Sequence, residues 1–167
     1  MNFRLALLAV AFLAASAPAA AQDVPMSALA PADEYFGHAR LSVLGIANTI
    51  RDVGKRIEEG GNPRALIDGP LWFASDAIAS WERAYPKDPW IAKDLLGLEV
   101  VYALIPTAQG RELVSRTEAW LVRDYPDAPA ALEGRRVLAD ALGEGNGSST
   151  DEAWSRFAAL RAPLPPH

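Results

Sequence analysis

Twice, forty residues apart, the chain writes Tyr-Pro-x-x-Pro: Tyr85-Pro86-Lys87-Asp88-Pro89 and Tyr125-Pro126-Asp127-Ala128-Pro129. The first proline of each copy forbids its predecessor from staying helical, which ends one helix. The second has no N–H to lose at a first helical turn, so it suits the start of the next. Each pentapeptide is therefore a helix stop and a helix start, and laying the chain on itself at an offset of forty makes the flanking helices coincide.

The remaining apolar spacing supports an all-α fold of about six helices. Phe36, Ala39, Val43, Ile46, Ile50, Val53 and Ile57 alternate at three and four, placing one helix from Pro31 to about Glu59, ended by Gly60-Gly61. Leu41, Leu44 and Ala47 widen its apolar face, which marks it as the enclosed central helix. Asn62-Pro63 starts a turn that stops at Gly69, and Pro70 opens a helix to about Ala84 on Leu71, Ala74, Ile78 and Trp81. Asp88-Pro89 starts a helix on Leu95, Leu98, Val101, Tyr102 and Ile105. The next runs from about Ala108 to Asp124 on Leu113, Thr117, Trp120 and Leu121. Pro129 starts another on Leu132, Val137, Leu138, Ala141 and Leu142. No stretch alternates with period two long enough to argue a strand.

Around the first pentapeptide, Ala77-x3-Trp81-x2-Ala84-x4-Pro89 resembles the second-helix half of a tetratricopeptide repeat: small, aromatic, small, closing proline. Leu95-x2-Leu98-Glu99-x2-Tyr102 looks like the first-helix half, with leucine for the usual tryptophan and glutamate for the usual glycine. The resemblance covers about residues 70 to 142. It departs in its spacing of forty rather than thirty-four, and in Thr117, Leu121 and Asp124, which replace the small-aromatic-small set before Pro129. It implies stacked antiparallel helix pairs, a concave surface and docking rather than chemistry. A plain antiparallel bundle reusing one turn predicts the same helices.

The first 21 residues have the layout of a secretory signal peptide: Arg4, an apolar run from Leu5 to Ala15, and small residues ending at Ala19-Ala20-Ala21. Cleavage after Ala21 would leave no stable membrane anchor and place the chain in a bacterial periplasm or outside the cell. Residues 22–30 read as a flexible lead-in, 31–142 as the helical domain, 143–149 as a Gly/Ser linker, and 150–167 as a short helix bearing Trp154, Phe157 and Leu160 with a proline-rich tail. The chain has no cysteine, which removes disulfides, thiol nucleophiles and thiolate metal sites together. Twenty-one acidic residues stand against sixteen basic ones, or fifteen once Arg4 is gone, so the mature formal charge is −6. That sign disfavours nucleic acid and anionic lipid.

Chemistry is sparse. His38 and His167 are the only histidines. Glu34 and His38 are four apart, but no third ligand accompanies them, and metal sites need three or four. The acids, Asp33, Asp52, Asp88 and Glu118 among them, read as caps and polar faces. No catalytic residue, metal or cofactor is expected. On the first helix His38, Ser42, Gly45, Thr49, Asp52 and Arg56 fall on one stripe, either its solvent edge or a strip for binding a partner or small ligand. Tryptophans 72, 81, 90 and 120 read mainly as core, with Trp90, just inside the Pro89 helix start, the one expected to be partly exposed. The candidate contact surface is therefore His38, Ser42, Thr49, Asp52 and Trp90. The expected function is an exported, non-enzymatic helical adaptor for a protein or peptide. The alternative is a small-molecule or metal-binding protein, or a minor enzyme, centred on the His38 stripe.

Overall fold

The computed structural model describes residues 28–143. The signal-peptide region, most of the Gly/Ser linker and the helix expected from Thr150 lie outside them. The described residues are all-α, in five helices: α1 (Val43–Glu58), a continuous rod made of α2 (Pro63–Leu66), a π-helical turn (Ile67–Leu71) and α3 (Trp72–Ala84), then α4 (Pro89–Ala103), α5 (Ala108–Asp124) and α6 (Pro129–Ala141).

The first helix begins twelve residues later than its apolar spacing suggests. Residues 31–41 instead form a tight reversal in which Phe36 and Leu41 exchange backbone hydrogen bonds of 2.9 and 3.0 Å. Gly37 and Arg40 carry positive φ, at 68° and 51°, a conformation that no right-handed helix accommodates. Gly37 is required for a second reason. A Cβ there would sit 2.6 Å from an Asp76 carboxyl oxygen and 2.8 Å from the Ala77 backbone. Phe36 is still a core residue, but as a plug: its ring stacks on Trp81 at 5.9 Å and meets Tyr85 edge-on at 6.1 Å. Ser42, at the true start of α1, accepts a hydrogen bond from Gly45 N–H.

Asn62 caps α2 as its sequence suggests, accepting from Arg64 and Ala65 N–H. Pro70, however, opens nothing. The rod continues through it because the turn widens, with Trp72 N–H reaching Ile67 C=O five residues back, so the N–H that proline lacks is not needed in the usual register. Beyond it Leu71, Ala74, Ile78 and Trp81 are buried together, as their spacing suggests.

The central helix is α4, not α1. Eleven of its fifteen residues are buried, and it packs against α1, α3, α5 and α6. On α1, by contrast, Leu44 is exposed. The last helix is turned relative to its apolar pattern. Leu132 and Leu142 face solvent while Ala130, Ala131, Glu133, Gly134 and Val137 are buried, because small residues let α6 settle closely against its neighbours.

The two pentapeptides build the same turn with different supports. In each, the tyrosine carbonyl accepts from the backbone N–H three residues on, Asp88 in one and Ala128 in the other, both at 3.0 Å. Asp88 then caps α4 through Trp90 N–H at 3.0 Å and accepts from the Trp81 indole at 3.1 Å and from Ala30 N–H at 2.9 Å. Ala30, the last residue of the expected lead-in, is thus fastened to the domain. At the second turn Ala128 offers no side-chain cap. Asp88→Ala should therefore cost about 3 kcal/mol, since it removes a cap and strands a buried indole donor. Asp127→Ala should change stability by less than about 0.5 kcal/mol. Urea unfolding of both variants checks this, and equal losses would refute the asymmetry.

Candidate functional site

Both α3 and α5 lie on α4, and a groove of about 780 Å³ runs between them, the size of a ligand-binding cleft. Trp72, Ser75, Ala79, Glu82 and Arg83 line it from α3, recurring at three and four along one stripe. Leu113, Arg116, Thr117, Trp120 and Arg123 do so from α5, and Tyr102 of α4 provides the floor. The two walls are tied at one end, where the Trp120 indole donates to both carboxyl oxygens of Glu82 at 3.0 and 3.1 Å. That tie fixes the direction of the groove. Ile67, Trp72 and Leu113 make an apolar end, while Glu82, Arg83, Trp120 and Arg123 make a charged one, with Arg116 between them.

Trp72, the first residue of α3 after the π-helical turn, is 49 % exposed. It packs edge-on against Phe73 at 5.1 Å and lies 5.8 Å from the His38 ring. Of the four tryptophans read as core, only Trp81 is fully enclosed. Trp90 is half-buried under the Lys93 ammonium, 4.1 Å above its ring. Tyr102 is buried, which pushes its phenol up to about 12, and the positive charge of Arg116 acts in the opposite direction.

His38 stands outside the stripe expected on the first helix, whereas Gly45, Thr49, Asp52 and Arg56 all lie along α1 behind its cap Ser42. His38 is in the reversal before α1 and bonds Asp76 twice, through its backbone N–H at 2.7 Å and its ring at 2.9 Å. These contacts hold the Asp76 carboxyl below its ordinary range, the backbone N–H foremost. Glu34 bonds the Tyr85 hydroxyl rather than sharing a helix face with His38. Ser42 is a cap, Thr49 donates to Gly45 C=O at 2.8 Å, and Asp52 is exposed beside Arg51. Those residues are explained by local structure, and neither they nor Trp90 line the groove. At the second turn, burial and then the charge of Glu82 raise the Tyr125 phenol.

A second cluster went unread in the sequence. Glu99 of α4, Glu118 of α5 and Glu133 of α6 are all buried. A Cβ on Gly134 would lie 2.3 Å from a Glu118 oxygen and 2.7 Å from a Glu99 oxygen, so those two carboxyl groups are within about 5 Å of each other. Burial pushes Glu99 up to about 10, with help from the charges of Glu118 and Glu133, and pushes Glu118 up to about 7 against the pull of Arg135. The available signal was Glu99 alone in the apolar run Leu95-Leu-Gly-Leu-Glu-Val-Val-Tyr102. Among the described residues no group of three or more histidines and acids has an arrangement that could hold a metal, and no helix is long and apolar enough to cross a membrane.

Comparison of the chain with protein-family models, with curated proteins and with solved structures returns no match. Function must therefore be argued from the groove itself.

The acid cluster makes stability depend on pH with a definite sign. Both carboxyl groups bind protons more tightly folded than unfolded, so stability is full below their ordinary value near 4.5 and declines as pH rises through 7 and toward 10. The melting temperature should fall steadily between pH 5 and 9. Glu99→Gln should flatten that slope and raise the melting temperature at pH 8 by about 4 °C or more. A flat wild-type profile over this range would refute the assignment.

Proposed function

We propose that this chain is an exported, non-catalytic helical adaptor that binds a protein or peptide partner along the α3–α5 groove. The observation that carries the reading is the make-up of that groove: aromatic rings, guanidinium groups and small residues at helical spacing over a tyrosine floor. Trp, Tyr and Arg are the residue types that dominate binding energy at protein interfaces, because they bury large rigid surfaces and keep a polar handle. Ala79 and Ala119 leave room for a ligand's side chains between them. The groove holds no histidine and no cysteine, and its single acid is engaged by Trp120. It is better equipped to hold a chain than to transform one.

The tetratricopeptide resemblance supports the same reading. Such arrays serve docking rather than chemistry, and here α3 and α5, each ending in a Tyr-Pro-x-x-Pro turn, flank the groove. The signal-peptide layout adds an exported setting. Panning a random peptide library on the purified mature chain should enrich clones that bind with micromolar affinity. Ala79→Trp, which fills the middle of the groove, should lower their affinity at least about tenfold without changing the helical circular dichroism. A library that yields no clone sensitive to Ala79→Trp would defeat the proposal.

A further inference from the structure

The groove has a polarity along its length as well as a composition. Its apolar end is Ile67, Trp72 and Leu113. Its charged end has Arg83 and Arg123, with Arg116 between, against the single acid Glu82. Glu82, whose two oxygens accept from Trp120, acts by its charge on Arg123. The mature chain as a whole has a formal charge of −6, yet three guanidinium groups line this one groove. A ligand carboxylate would find its attractive partners there, provided it can displace or bypass the acids already beside them.

The three arginines are not equally available. Arg123 is bonded to Asp124 through two nitrogens. Arg116 lies 3.6 Å from Glu112 in a pair that is exposed on both sides, an interaction worth little and easily exchanged. Arg83 makes no ion pair among the described residues and acts on Asp76 only through longer-range attraction. The recognition forks are thus Arg83 and Arg116, each able to clasp a carboxylate with two parallel N–H donors. Trp72 and Arg83 are eleven residues apart on one helix, about 16 Å at 1.5 Å per residue. An extended peptide covers that distance in about five residues.

Resting on the adaptor reading above, we infer that the groove takes an extended acidic peptide segment of a partner protein: a large apolar side chain against Trp72 and Leu113, and carboxylates two to five residues away on Arg116 and Arg83. The apolar anchor is desolvated between two side chains that are otherwise left partly in water. The carboxylates replace the weak Glu112 partner and occupy the open fork of Arg83. Backbone direction is set by which end meets the aromatic ring.

The test uses the full mature chain and three synthetic decapeptides read by fluorescence polarisation. One has a single Trp followed by Asp and Glu at the second to fifth positions after it, one replaces those acids by Asn and Gln, and one replaces them by Lys. The acidic probe should bind at least about tenfold more tightly than its neutral isostere, more weakly as salt rises, and the lysine probe should not bind. Arg83→Gln and Arg116→Gln should each remove most of that acid preference while leaving the neutral probe unchanged, and Trp72→Ala should weaken both probes equally. Equal binding of the acidic and neutral probes, abolished by Ala79→Trp, would overturn the acidic specificity and leave the adaptor reading standing. Failure of every probe, together with a library that yields no groove-dependent clone, would overturn both. Equal competition by a twelve-residue oligothymidylate would show a general polyanion site and overturn the peptide assignment. Because the chain has no cysteine, Ser75→Cys can carry a photo-crosslinker into the groove. Capture of residues 144–167 of the same chain, or of a second copy, would assign the groove to the protein itself and overturn the proposal.

Discussion

One carboxyl group holds three parts of this protein together. Asp88 is 1 % exposed, and it receives the α4 backbone through Trp90 N–H, the last turns of α3 through the Trp81 indole, and the N-terminal segment through Ala30 N–H. A buried acid with this many donors, at the positive end of a helix, has its lost hydration replaced by fixed dipoles. The consequences spread outward. The indole bond orients Trp81, Trp81 offers its face to Phe36, and Phe36 closes the reversal at residues 36–41 that brings His38 onto Asp76. The short backbone reversal before α1 is thereby docked on α3 without any disulfide.

The second Tyr-Pro-x-x-Pro shows what happens when that device is absent. At an offset of forty, Trp81 corresponds to Leu121 and Asp88 to Ala128. The polar pair has become an apolar pair. A buried indole N–H needs an acceptor, whereas a leucine does not, so the two replacements belong together. Leu121 is fully buried all the same. In the second unit the tryptophan sits one residue earlier, at Trp120, on the face that meets Glu82 and borders the groove. A tryptophan buried in the first unit has its counterpart on a groove wall in the second. Two helix hairpins of one design thus divide their roles, the first fastening the N-terminal segment and the second opening a surface.

Helix starts were legible at Asn62-Pro63, Asp88-Pro89 and Pro129, which all mark element boundaries in the structure. Errors arose where periodicity outran local backbone chemistry. Phe36 and Ala39 fit the α1 stripe by spacing, yet Gly37 and Arg40 in the left-handed region put them outside the helix. Pro70 looked like a helix start, but a widened turn absorbed it. The buried glutamates were missed for a different reason. Glu118 and Glu133 sit among ordinary charged neighbours in sequence, and only the close approach of α6 at Gly134 encloses them. The groove was invisible as a unit because its walls are residues forty apart on helices that meet through a third.

That third helix decides what the groove can be. Both walls lie on α4, and the indole-to-carboxyl bond between Trp120 and Glu82 is the polar tie between them. Were the walls in full contact along their lengths, the small residues Ser75, Ala79 and Ala119 would be core and the arginines would fan outward. Held apart over Tyr102 instead, they leave a trough floored by a buried residue of the central helix, with guanidinium groups beside aromatic rings on its sides. A floor already fixed by core packing adds little to the ordering cost of any binding there. The same tie holds Glu82 beside Trp120, where its charge still acts on Arg123, so among the groove's guanidinium groups it is Arg83 that has no ion pair within the described residues.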